Sequence, residues 1–254
     1  MTKLNISSEF YSLPAMATYL GTAISIWALQ SNYLQLALGV VSVLTLFLLL
    51  YLIATHRKYR YFKRFKAIDV ELHKLSHRTR DYISELRMAE NRDEARQISG
   101  AATKHALSVA SKCFEILIEK PCCSSLMLPR PHKALKTVQY CYNADPQRES
   151  IPSDMLSPSD GIAGQAFTSG DVLVWSLGDT RFKEIRNGYA KYYKSGISIP
   201  FKAGLVYAGV LNVDCGAESG FDYELHKQVG ATIADTVGII IECLNLWGDA
   251  NGGA

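Results

Sequence analysis

Ser195 to Asp214 reads SGISIPFKAGLVYAGVLNVD. β-Branched and aromatic residues fill both halves, and Lys202-Ala203-Gly204 divides them, which predicts two paired strands, Ser195–Phe201 and Leu205–Asp214. Val210, Leu211 and Val213 are residues of a central strand. Upstream, Cys122–Leu128 and Leu135–Tyr142 are two more short runs around a Pro/Arg/His/Lys turn, which predicts a hairpin. Between these pairs come a loop with three prolines (Asn143–Asp160), a helix entry (Gly161–Ser169), a strand (Asp171–Ser176) and a tyrosine-rich helical stretch (Arg181–Tyr193). Phe221–Leu246 reads as a closing amphipathic helix. The expected fold class is α+β, an antiparallel sheet with flanking helices.

Upstream of the strands, Gly100 is expected to interrupt a helix and a new one to run from Ala101 to Lys120, where Pro121 stops it. Before that, Ile68, Leu72, Leu75, Thr79, Tyr82, Leu86 and Ala89 repeat at steps of 4 and 3, a heptad seam. No Pro or Gly occurs from His56 to Ser99, so one helix can continue from the preceding apolar run. The seam predicts a coiled-coil stalk and a parallel homodimer or higher homo-oligomer; the alternative is that it packs on the chain's own globular domain.

Charge is distributed unevenly in this 254-residue chain of formal net charge +3. Phe10 to Thr55 holds no Asp, Glu, Lys or Arg, and residues 56–66 hold six Lys/Arg and no acid. From Ser99 onward there are 14 basic and 16 acidic residues. The basic excess thus belongs to a membrane boundary, and nucleic acid is set aside as a partner. Tyr33–Ala54, YLQLALGVVSVLTLFLLLYLIA, suffices to cross the ~30 Å hydrocarbon core as a helix. Leu13–Leu29 is a second uncharged run, richer in small residues, with Gln30-Ser31-Asn32 between the two. Together they predict a transmembrane hairpin; a cleaved signal peptide or a re-entrant first segment are the rivals. The cations at 56–66 place that flank in the cytoplasm, giving a multi-pass inner (plasma) membrane protein with both termini cytoplasmic. Six cysteines are too few for a disulfide-stapled secreted fold.

Five short motifs carry a family resemblance. Gly161-Ile-Ala-Gly164-Gln-Ala-Phe resembles the GxxGxA helix entry of GAF domains, and Asp179-Thr-Arg-Phe182 their DxRF. Ser198-Ile-Pro200, Gly209-Val-Leu-Asn-Val-Asp214 and Phe221-Asp-Tyr-Glu-Leu225 resemble the penultimate strand's end, the last strand and the start of the closing helix. They occur in the family's order over about residues 97–247. The resulting organisation is an N-terminal cytoplasmic segment (1–12), two transmembrane helices (13–55), a basic juxtamembrane segment and stalk (56–98), a GAF-like sensor domain (99–247) and a tail (248–254).

GAF domains are small-molecule sensors, and the resemblance implies a pocket between the sheet and the segment from about Cys141 to Lys194. The expected ligand residues are Trp175, Asp179, Arg181, Phe182, Arg186, Tyr189 and Tyr193; aromatics with cations suit a small anionic or nucleotide-like ligand. Cys215-Gly216 stands where cyclic-nucleotide-binding members carry Asn-Lys, and no cysteine is followed by His as in bilin-binding members. No cofactor is identified and no metal site is expected: Cys122, Cys123 and His132 lack zinc-ligand spacing, and His73 and His77 read as a solvated pair. Walker A, HExxH, GxSxG and kinase signatures are absent, so an enzyme is not expected. The expected function is a membrane-anchored ligand sensor that signals through the stalk to the hairpin, as in some bacterial defence effectors. The alternatives are a membrane scaffold whose domain dimerises or docks a partner, and a methionine sulfoxide reductase-type redox enzyme using Cys122, Cys123 and Cys141. The charge pattern makes one direct prediction: reporter fusions at the N-terminus and after Ala254 both read cytoplasmic, whereas opposite locations would mean a single span.

Overall fold

A computed structural model of the chain describes residues 18, 19, 21–26, 34–129, 135–141, 161–176, 193–218, 221 and 223–251. The chain divides into two compact units, Met1–Lys63 and Arg64–Ala254.

In the first unit, residues 18–19 and 21–26 are helical, and helix α1, Leu34–Met88, begins. Its apolar run reaches a mean hydropathy of 2.1 and is not buried by the protein; Leu46, Phe47, Leu48, Leu49 and Leu50 all stand exposed. The hydroxyls of Thr22, Ser25 and Thr45 donate to the carbonyls of Thr18, Gly21 and Val41 at 2.7–2.8 Å, so these polar groups are satisfied within their own helix. Gln30–Asn32 and the rest of the first apolar run lie outside the described residues.

The second unit contains the rest of α1, then α2 (Arg92–Ile118), β1 (Cys122–Pro129), β2 (Leu135–Cys141), α3 (Gly161–Ser169), β3 (Leu173–Ser176), β4 (Ser195–Ala203), β5 (Val206–Cys215) and α4 (Tyr223–Asn251). The strands form one sheet in the order β2-β1-β5-β4-β3, each neighbour antiparallel. Alternation sends Leu126, Ile197, Ile199, Phe201, Leu211 and Val213 to one face, where they join Leu107, Ala110 and Phe114 of α2 and Val229, Ile233 and Val237 of α4 in the main core. α4 is apolar enough to pass for a membrane span, but those three residues and Ile240 are buried, so it is the core helix of this domain. It lies tight on the sheet: a Cβ at Gly230 would collide with Ile199 and one at Gly238 with the Lys202 carbonyl oxygen.

Two sequence expectations change. α2 begins at Arg92, nine residues before the expected Ala101, and Gly100 lies within it with open space where a Cβ would stand. The break falls instead between Met88 and Arg92. Asn91 caps α2 by accepting from the Glu94 N–H at 2.9 Å, and Glu94 reaches back to the Glu90 N–H at 2.8 Å, a variant of the capping box. The second change concerns the seam, which packs within the chain. Ile68, Leu75, Thr79 and Leu86 are buried, and Ile68 and Leu75 belong to the core that holds Leu107 and Phe114. Glu71 pairs with Lys112 of α2 at 2.9 Å, and Lys112 foremost holds its carboxyl below the usual range. The Thr79 hydroxyl donates to the Leu75 carbonyl at 2.8 Å, which lets a polar residue occupy the seam. These positions of the seam are covered within the chain.

Leu75→Ala should therefore lower domain stability by about 2–5 kcal/mol, as for a buried leucine, measured by urea denaturation. A cysteine at position 75 should give no crosslink between copies; efficient crosslinking would show the seam is intermolecular.

Candidate functional site

The face of the sheet opposite the main core carries different chemistry. Trp175, Gly196, Asp214 and Cys123 stand in register across β3, β4, β5 and β1. Two residues along, Leu173, Ser198, Asn212 and Ser125 form the adjacent row. In a central strand buried on both faces, a polar side chain must find partners or cost stability. The Ser198 hydroxyl donates to Asn212 Oδ1 at 2.7 Å, and Ser125, Ser198 and Asn212 are all buried. The Asn212 amide nitrogen adds two donors to the same face.

Gly196 is small because two groups converge over it. A Cβ there would collide with the Trp175 indole nitrogen and come 2.8 Å from Asp214 Oδ1. An indole N–H and a carboxylate are thereby held side by side. Trp175, Tyr193, Cys123 and Ile162 of α3 form a small apolar cluster at this end. At the other, Ala163 of α3 lies on Met127 and Val210, with half-buried Phe167 against them. The wall between them presents an indole, an amide, two hydroxyls and a carboxylate.

Of the residues expected from sequence, Trp175 and Tyr193 are brought together here, at 6% and 7% exposure. Asp179, Arg181, Phe182, Arg186 and Tyr189 lie outside the described residues. Ser125, Ser198, Asn212 and Asp214 were not among the expected ligand residues. For Asn212 and Asp214 a signal was available in Asn212-Val-Asp214, where polar residues recur at the two-residue period of an otherwise apolar strand.

Of the three cysteines considered for redox chemistry, two have described side chains, Cys122 and Cys123. Cys122 and Cys123 are neighbours on one strand and face opposite sides of the sheet. This separation also prevents them from sharing a metal, and His132 is outside the described residues. Among the described residues no group of three or more His, Cys, Asp or Glu side chains is placed to hold a metal ion. His73 and His77 bring their Nε2 atoms to 3.1 Å on an exposed helix face.

No protein-family model matches the sequence, and no curated protein matches it significantly. Solved structures do resemble it. Over part of its length the chain is similar to solved GAF domains. The GAF domain of a Coxiella burnetii phosphoenolpyruvate-protein phosphotransferase is 15% identical, with TM-score 0.46, covering 73% of this chain and 98% of that one. The GAF domain of a Bacillus halodurans two-component sensor histidine kinase is 19% identical, with TM-score 0.44, covering 56% and 95%. A type II free methionine-R-sulfoxide reductase from Thermoplasma acidophilum is 13% identical, with TM-score 0.42, covering 55% and 94%. These are likenesses of fold at low identity; the chemistry of the site is carried by this chain's own residues.

Gly196→Ala should displace the indole or the Asp214 carboxylate, and a lowered urea midpoint worth about 1–3 kcal/mol is expected, as for overpacking. An unchanged midpoint would mean that Trp175 and Asp214 move aside without cost.

Proposed function

We propose that the domain is a ligand-binding sensor and that the polar face of its sheet is one wall of the ligand site. The observation that carries this reading is the buried row Ser125–Asn212–Ser198 beside Trp175 and Asp214 at Gly196. A core designed only for stability gains nothing from an amide and two hydroxyls at the centre of its sheet. A small planar molecule with polar edges suits the amide, hydroxyls and carboxylate, and its anionic group, as in a nucleotide-like ligand, suits Arg181 and Arg186. The domain acts in a protein anchored in the inner membrane by a hairpin, with the domain and both termini in the cytoplasm. One helix, Leu34–Met88, carries both the apolar run and the seam buried in the domain. Ligand binding changes the packing of that seam, and the helix passes the change to the membrane segment, the arrangement of a defence-type membrane effector.

A second reading is favoured by the near-complete burial of Trp175 and Tyr193: the face is filled by the protein itself, and the domain is a membrane scaffold for a partner. Two measurements on the purified full chain separate the readings. Mass spectrometry of co-purifying small molecules identifies the ligand, and titration then compares variants. Trp175→Ala and Arg181→Ala should each weaken binding by about 1–3 kcal/mol, and Arg181→Lys should weaken it too because an ammonium cannot make the bidentate contact. A destabilised Trp175→Ala protein with normal affinity, together with an unaffected Arg181→Ala, would overturn the site and leave the scaffold.

A further inference from the structure

On the core face of the sheet, away from the proposed ligand wall, Cys122 of β1 and Cys215 of β5 are direct cross-strand partners. The hydrogen bonds around them define the kind of pair. The Cys215 carbonyl accepts from the Lys194 N–H at 2.9 Å, on the side away from β1. The Cys122 N–H donates to Glu115 Oε1 at 3.2 Å. A strand residue directs its N–H and C=O to the same side, so Cys215 turns its backbone groups away from Cys122. The two form a non-hydrogen-bonded pair, in which Cα atoms lie about 4.5 Å apart and side chains come closest. That spacing falls within the range a disulfide requires, about 4.4–6.8 Å.

We propose that Cys122 and Cys215 are a redox-reactive dithiol site whose substrate is a hydroperoxide and whose product is an intrachain disulfide. Cys215 is the attacking sulfur. The Ala217 N–H donates to it at 3.4 Å, from a turn pinned by the Ser195 hydroxyl on the Ala217 carbonyl at 2.7 Å, while the Cys122 thiol donates to the Lys120 carbonyl at 3.4 Å. The neighbouring Cys122 thiol foremost, with the Ala217 N–H, lowers the Cys215 thiol from its ordinary value, while Cys215 and burial push Cys122 up. Cys215 is itself buried, but it is the last residue of β5 and is followed by exposed Gly216. The remaining buried thiol of this core, Cys113, is pushed up to about 12 chiefly by burial, which makes it an internal control.

The chemistry balances. The Cys215 thiolate attacks one peroxide oxygen and the O–O bond breaks; the leaving oxygen takes up the thiol's proton and departs as water or an alcohol. Cys215 is then a sulfenic acid. The Cys122 sulfur attacks it, the S–O bond breaks, and hydroxide leaves as water with the Cys122 proton as the S–S bond forms. Two thiols lose two electrons, and the peroxide gains them.

The test uses the reduced full chain, treated with hydrogen peroxide, alkylated under denaturing conditions and digested for mass spectrometry. A linked peptide pair lighter by two hydrogens and cleaved by dithiothreitol is expected in the wild type and in Cys123→Ser, and is lost in Cys122→Ser. In Cys122→Ser the Cys215 sulfenic acid should be trapped by dimedone. Recovery of Cys122 and Cys215 as alkylated thiols, at the same yield as Cys113, would overturn the site. So would a link that disappears in Cys123→Ser, or a dimedone adduct on Cys122 in Cys215→Ser. None of these outcomes depends on the proposed ligand.

Discussion

β5 lies between β1 and β4, and both of its faces are covered. A strand has a period of two, so the same ten residues must satisfy two neighbours of different character. Leu211, Val213 and Cys215 serve the helical layer of α2 and α4, and Val210, Asn212 and Asp214 serve the opposite face. Everything distinctive in the domain follows from that division. The first set fixes where α2, α4 and the seam of α1 pack. The second introduces buried polarity that only hydrogen bonding makes tolerable, as Ser198 does for Asn212.

The elements themselves were legible because their signals are local. The division of Ser195–Asp214 around Lys202-Ala203-Gly204, the Gly161–Ser169 helix and the closing helix all appear near their expected bounds. The start of α2 is set by the Asn91 cap and not by Gly100. Gly100 costs about 1 kcal/mol in a helix, an amount that a long apolar face on α2 outweighs, whereas Asn91 and Glu94 supply partners that the first turn would otherwise lack. The heptad steps of the seam encode an apolar stripe. Spacing cannot say what covers a stripe, and here α2 of the same chain does.

The site was less legible for a reason of another kind. Asn212 and Ser198 are fourteen residues apart, Cys122 and Cys215 far more, and each pairing exists only once strand order and register are set. No single-strand pattern encodes the neighbour. The ligand residues expected from motif position were mostly those of the segment between β3 and β4, of which Trp175 and Tyr193 take their places beside Gly196 and Cys123.

The glycines under α4 have a mechanical consequence. A helix that touches a sheet through long side chains can absorb a displacement by rotamer changes, each within a soft and local well. At Gly238 neither partner has a side chain to rearrange, since backbone meets the Lys202 carbonyl directly, and at Gly230 the one side chain between helix and strand is that of Ile199. β4, which presents Gly196 and Ser198 on its other side, therefore rests on a hard stop. A push on the polar face has little cushion beneath it, so β4 and α4 move as a stiff pair. The compliance of the domain then lies elsewhere in the helical layer.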